Sequence, residues 1–150
     1  MNVLFLDVDG VLNTQRLIAT NGNQSIGSEY VDRLQRIVEQ TGVVIVLISS
    51  WRIYPLRMEL LADRLAQVGL TLFDKTVNLE NVDRAEEINE WLGRHQDVER
   101  FVILDDGLDA GTGFDQEFFK TDFWNGGLTE EIAQQVVRYI NGVSTVKSKT

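Results

Sequence analysis

Three pairs of small polar residues lie at the ends of short apolar runs in this chain: Asp7 and Asp9 at the end of Asn2–Val8, Ser49 and Ser50 after Val43–Ile48, and Asp105 and Asp106 after Phe101–Leu104. A single Asp behind a strand is as often a turn or cap residue. Recurrence changes the reading, because carboxylates that converge at one sheet edge need a cation or a shared proton. The chain has no cysteine and one histidine, His95, so a metal must be held by oxygen. Oxygen ligands favour magnesium or calcium over zinc or copper.

Phosphoryl transfer gives each group a task, since it needs an in-line nucleophile, neutralised charge on the transferred oxygens and a proton for the leaving group. Asp7 can attack phosphorus and form an aspartyl-phosphate. Asp9 can protonate the leaving oxygen and then deprotonate the attacking water. Asp105, Asp106 and the Asp7 carboxylate would hold Mg2+, which shields the nucleophile from phosphate repulsion. Ser49 or Ser50 can donate to a phosphate oxygen, and Arg84 can add a fixed positive charge there.

Other residues have weaker claims. Arg52, beside Trp51, is either a further phosphate contact or a stacked structural cation. Lys75 rivals Arg84 but reads as solvent-facing. Asn13 reads as shaping the loop after Asp9, and His95, at a helix end, has no catalytic part.

The apolar runs predict the elements that position these groups. Asn2–Val8, Val43–Ile48, Leu70–Phe73 and Phe101–Leu104 read as strands, with a short one near Phe118–Thr121. Their continuous apolar character suits parallel strands covered on both faces. Helices are expected from Ser28 to Gly42, from Pro55 to Gly69, from Arg84 to His95 and from Thr129, as N-cap, to Asn141. Thr14–Gly27 has no helical period and contains Asn21-Gly22, a hairpin signal, so it reads as a small flap. The pattern is that of an α/β fold, a three-layer Rossmann-like sandwich around a mostly parallel sheet, with ligands beyond the carboxyl ends of the strands.

At 150 residues, 43% apolar and 25% charged, the chain has the size and composition of one compact domain, read as 1–143 with a frayed polar tail at 144–150. The start lacks a basic leader and no apolar run reaches bilayer length, so a cytoplasmic protein without a membrane partner is expected. A net charge of −9 disfavours loose electrostatic binding to nucleic acid without excluding a local basic patch.

Asp7-Val8-Asp9-Gly10-Val11, Ile48-Ser49-Ser50, Arg84 and Leu104-Asp105-Asp106 stand in the order of the four motifs of the haloacid dehalogenase (HAD) superfamily, which the chain resembles. Ser49-Ser50-Trp51-Arg52, the run from Arg84 to Leu92 and Gly127-Leu128-Thr129 are similar to small members related to RNA-repair proteins. The resemblance implies aspartyl-phosphate chemistry, with the Asp9 backbone carbonyl as a further Mg2+ ligand, and Asp9 points away from dehalogenation. One departure is that no stretch has room for a cap domain. Without a lid, a large substrate or partner must complete the pocket, so an accessible phosphate on a nucleic-acid end or a phosphoprotein is expected.

Two rivals belong to other classes. A signalling receiver domain also groups acids, a hydroxyl and a lysine around Mg2+, but its adjacent acids would follow the first strand, whereas here they come late. A binding or regulatory module would keep the fold without turnover, and intact Asp7 and Asp9 argue against that.

Overall fold

Each apolar run between Asn2 and Lys120 forms a strand. The computed structural model describes residues 1–143, with β1 (Asn2–Leu6), β2 (Val44–Leu47), β3 (Leu72–Lys75), β4 (Arg100–Asp105) and β5 (Phe118–Lys120). The tail expected at 144–150 lies outside the described residues. The strands form one sheet in the order β3-β2-β1-β4-β5, and every pairing is parallel.

Strand periodicity divides the core in two. Leu4, Leu6, Ile45, Leu47, Val102 and Leu104 point to one face, and Val3, Phe5, Val46, Ile48 and Ile103 to the other. The first face is covered by α2 (Ser28–Thr41), α3 (Pro55–Ala66) and α5 (Glu130–Ile140), and the second by α4 (Arg84–Gly93). Both faces are therefore apolar, which is why the strands read as unbroken hydrophobic runs. On the α4 side Trp91 meets Phe5 edge to face at 5.5 Å and donates its indole N–H to Asp74 Oδ2 at 2.8 Å, tying the helix to β3.

The helices start where their caps predicted. Thr129 Oγ1 accepts from Ile132 N at the head of α5, and Pro55 occupies the first turn of α3. The segment expected as a flap contains a helix. Gln15–Asn21 forms a further short helix, α1, capped by the Thr14 hydroxyl and closed at Gly22, whose φ of 104° and N–H to the Ile18 carbonyl end it. A hairpin turn and a helix C-terminus both call for a glycine with positive φ, so Asn21-Gly22 carried either meaning. The expected third strand also shifts: Leu70 is buried in the turn after α3, and pairing begins at Leu72.

The register sets the functional edge. Leu6 is level with both Leu47 and Leu104, and Asp7 N donates to the Leu104 carbonyl while Ile48 N donates to the Leu6 carbonyl. Asp7, Ile48-Ser49 and Asp105 thus emerge together at the carboxyl end. The chain leaves β1 for β2 on one side and later returns to β4 on the other, so Asp7 lies at the point where strand order reverses, the usual ligand crevice of such sheets. No cap is inserted.

Candidate active site

Asp7, Asp105 and Asp106 meet at this edge, each offering one carboxylate oxygen within 4.8 Å of the others. Asp7 and Asp105 are buried, and Asp106 is partly exposed. The Asp7 carboxyl is pushed well above its ordinary pKa, first by burial and then by the charge of Asp105, against the opposing pull of Arg84. Asp106 is raised for the same leading reasons, burial first and Asp105 next. A loop N–H, from Gly107, fixes Asp105 Oδ1 at 2.8 Å.

Gly10 makes the cluster possible. Its φ is +84°, and a Cβ there would sit 2.4 Å from Asp106 Oδ2. Any side chain at position 10 would push that carboxylate away from its partners.

Arg84, at the start of α4, reaches across this cluster. Its Nη1 lies 2.6 Å from Asp105 Oδ2 and 3.3 Å from Asp7 Oδ1. Burial alone would lower the guanidinium pKa, but the charges of Asp105 and Asp7 outweigh it and the proton is held more tightly. Asp109 Oδ2 accepts from the Arg84 backbone N–H at 3.1 Å, anchoring the helix start.

Asp9 stands apart from this group and is held by neutral donors. Its Oδ1 accepts from Asn13 Nδ2 at 2.9 Å and its Oδ2 from the Trp51 indole at 3.2 Å. Asn13 also accepts from Gly10 N at 2.9 Å, so one amide shapes the loop and orients the acid. The chain therefore presents a metal-like cluster and, two residues from Asp7, a separately oriented carboxyl.

Ser49 is buried at the end of β2, where its Oγ accepts from Trp51 N at 3.1 Å and keeps its own proton available to donate. Ser50 is exposed and opens a 3-10 turn, Ser50–Ile53. Arg52 departs from its expected role. Its guanidinium donates to the carbonyls of Thr76, Ile48 and Ser49 and to Glu87 Oε2, and the residue is 7% exposed. Those bonds engage all three guanidinium nitrogens. The cation stacked on Trp51 is instead Arg57, with Cζ 5.7 Å from the ring centroid.

Lys75 is exposed at the end of β3, and His95 stacks on Trp91 at 3.7 Å with its Nδ1 2.8 Å from the Trp91 carbonyl. Neither reaches the cluster. Trp51 and Glu87 are partners of site residues that no local pattern announces, because their contacts span 42 and 35 positions.

The three carboxylates, all oxygen donors with one half-exposed member, can hold a divalent metal ion. Gly10 leaves the space their grouping requires, and Arg84 offsets only part of their charge. Residues 3–133 match the family model described as the HAD domain in Swiss Army Knife RNA repair proteins. No curated protein matches the chain.

Proposed function

Because the chain belongs to the family of HAD domains in Swiss Army Knife RNA repair proteins, whose chemistry is that of phosphoryl-transfer hydrolases, we propose that it is a Mg2+-dependent phosphatase acting through an aspartyl-phosphate on Asp7. The observation that carries this reading is the division of the acids: Asp7 groups with Asp105, Asp106 and Arg84, while Asp9 is held on its own by Trp51 and Asn13.

Asp7, Asp105 and Asp106, with the Asp9 backbone carbonyl, would hold Mg2+. Bound there, Mg2+ would keep the carboxylates ionised and neutralise charge on the transferred oxygens. The Asp7 carboxylate attacks phosphorus in line as the bond to the leaving oxygen breaks. Asp9 gives that oxygen its proton, then takes one from the water that attacks the acyl-phosphate, releasing phosphate and Asp7. Arg84 and the Ser49 hydroxyl donate to the phosphate oxygens, with exposed Ser50 at the rim. The substrate is an accessible phosphate, on a nucleic-acid end or a phosphoprotein, since no cap closes over the edge among the described residues. The catalytic unit is residues 1–143.

The test is hydrolysis of a phosphate-ester panel, including 3′- and 5′-phosphorylated oligonucleotides and phosphopeptides, with and without Mg2+. Wild type is expected to turn over in Mg2+ alone, and Asp7→Asn to lose at least about 10⁴-fold. Equal activity of the two, or none in wild type, refutes the reading.

A further inference from the structure

The wall beside Asp9 carries side chains that phosphoryl transfer itself does not use. The 3-10 turn Ser50–Ile53 follows β2, and Tyr54 leads from it into α3. In that corner the Arg57 guanidinium lies 4.8 Å from the Tyr54 ring centroid and 5.7 Å from that of Trp51. Trp51 is the indole that donates to Asp9 Oδ2. The stack therefore begins at the acid and runs outward, from fully buried Trp51 through half-buried Arg57 to Tyr54, which is 47% exposed.

Arg57 differs from the other arginines near carboxylates. Arg33, Arg36, Arg52, Arg84 and Arg94 each face an Asp or Glu. Among the described residues Arg57 meets only the two aromatic faces. Stacking holds a guanidinium in place while leaving its N–H edge free for a planar or tetrahedral oxyanion. In a chain of net charge −9, this cation, joined to Asp9 through the Trp51 indole, offers a local exception to the general repulsion of polyanions.

The side on which this stack lies matters. Asp9 is the group that protonates the leaving oxygen, so whatever leaves must pass next to the residues that hold Asp9. We propose that Trp51, Arg57 and Tyr54 form a leaving-group subsite for a single-stranded nucleic-acid end: with the terminal phosphate at Asp7, the adjoining phosphodiester meets Arg57 and a base stacks on the outer face of Tyr54. The inference rests on the phosphatase reading and deepens it. A phosphodiester and a π-face occur together in every nucleotide, and the subsite offers a partner for each. A phosphopeptide carries neither of necessity.

Steady-state kinetics with a phosphorylated oligonucleotide and with glycerol 2-phosphate, which has neither a base nor a second phosphate, test it. Tyr54→Ala and Arg57→Gln are each expected to lower the ratio of kcat/KM for the oligonucleotide over glycerol 2-phosphate by about tenfold, through KM. Arg57→Lys should recover part of the loss. Arg138→Gln, an equal charge change on α5, should leave the ratio as in wild type. Anisotropy of a labelled oligonucleotide on Asp7→Asn protein, alone and combined with Arg57→Gln, reads binding without turnover. Arg57→Gln should reduce the salt dependence of binding by about one counterion.

An unchanged ratio and unchanged binding overturn the subsite, whether or not the enzyme turns over. A loss of equal size on a phosphopeptide also overturns it, pointing to a nonspecific cation. Should no ester be hydrolysed while Arg57→Gln still weakens oligonucleotide binding, the phosphatase reading falls and the nucleic-acid surface stands.

Discussion

Arg52 and Arg84 both meet carboxylates near the carboxyl edge of the sheet, yet their surroundings differ in kind. The Arg52 side chain is 4% exposed and that of Glu87 6%, with Nη2 to Oε2 at 2.8 Å. Backbone carbonyls take the other Arg52 bonds, and Leu79 N donates to the same Glu87 oxygen. One cation meets one anion, with hydrogen bonds around both. Arg84 instead bridges Asp7 and Asp105, with Asp106 beside them and a side chain that is 23% exposed. Its partners outnumber it. A matched buried pair fixes the loops after β2 and β3, whereas an unmatched cluster leaves negative charge that can hold a metal ion.

Breaking the matched pair should have the largest effect on stability. Glu87→Ala leaves the Arg52 charge buried and is expected to cost about 3–5 kcal/mol, read by denaturant unfolding. Replacing both partners with apolar residues, Arg52→Met with Glu87→Leu, should recover much of that loss. If Glu87→Ala were neutral, the contrast between the two arginines would disappear. Arg84→Met should show the opposite profile: turnover falls by about 10²–10³, with a smaller stability change than at Glu87.

The unmatched cluster also predicts a pH signature. The Asp7 carboxyl is raised above its ordinary value of 3.8 in the folded protein, mainly by burial, so the metal-free fold binds its proton more tightly than the unfolded chain does. The stability from this group is complete below about pH 4 and is lost as pH rises through the folded pKa. Asp106, raised above 3.8 with burial as its leading cause, acts in the same direction. A metal ion competes with these protons, so Mg2+ stabilisation should grow with pH. At 100 times its Kd, Mg2+ should add about 2.7 kcal/mol, seen as a Tm rise that Asp106→Asn diminishes. A Mg2+ effect larger at pH 5 than at pH 8 contradicts the assignment of the ligands.

The smallest effect concerns the support of Asp9. Trp51→Phe removes the indole N–H and should lower kcat by about tenfold on alkyl phosphates, whose leaving oxygen needs a proton. An aryl phosphate with a good leaving group should be affected less.

What the sequence disclosed follows from how local each signal is. The placement of Asp7, Asp105 and Ser49 at one edge was legible because each ends an apolar strand, and parallel pairing brings strand ends level without further information. Helix α1 was hidden because none of its residues is buried, so no apolar period marks it. The partners of Arg52 depend on a 3-10 turn that carries it under the strands while Arg57, on the next helix, covers Trp51. Adjacency in Trp51-Arg52 thus suggested a stack that the backbone turns apart. Glu87 looks like a solvated helix carboxylate until α4 docks with its buried face on the sheet.

The central claim, that the acids at this edge form a phosphoryl-transfer centre with Asp7 as nucleophile, is tested most directly by trapping the intermediate. Enzyme turning over a phosphorylated oligonucleotide in Mg2+ is acid-quenched and reduced with borohydride, which converts an aspartyl-phosphate to homoserine detectable by peptide mass spectrometry. The account predicts conversion at position 7 alone, dependent on substrate. Turnover with no conversion at Asp7, or with conversion at Asp9 or Asp105 instead, would contradict it.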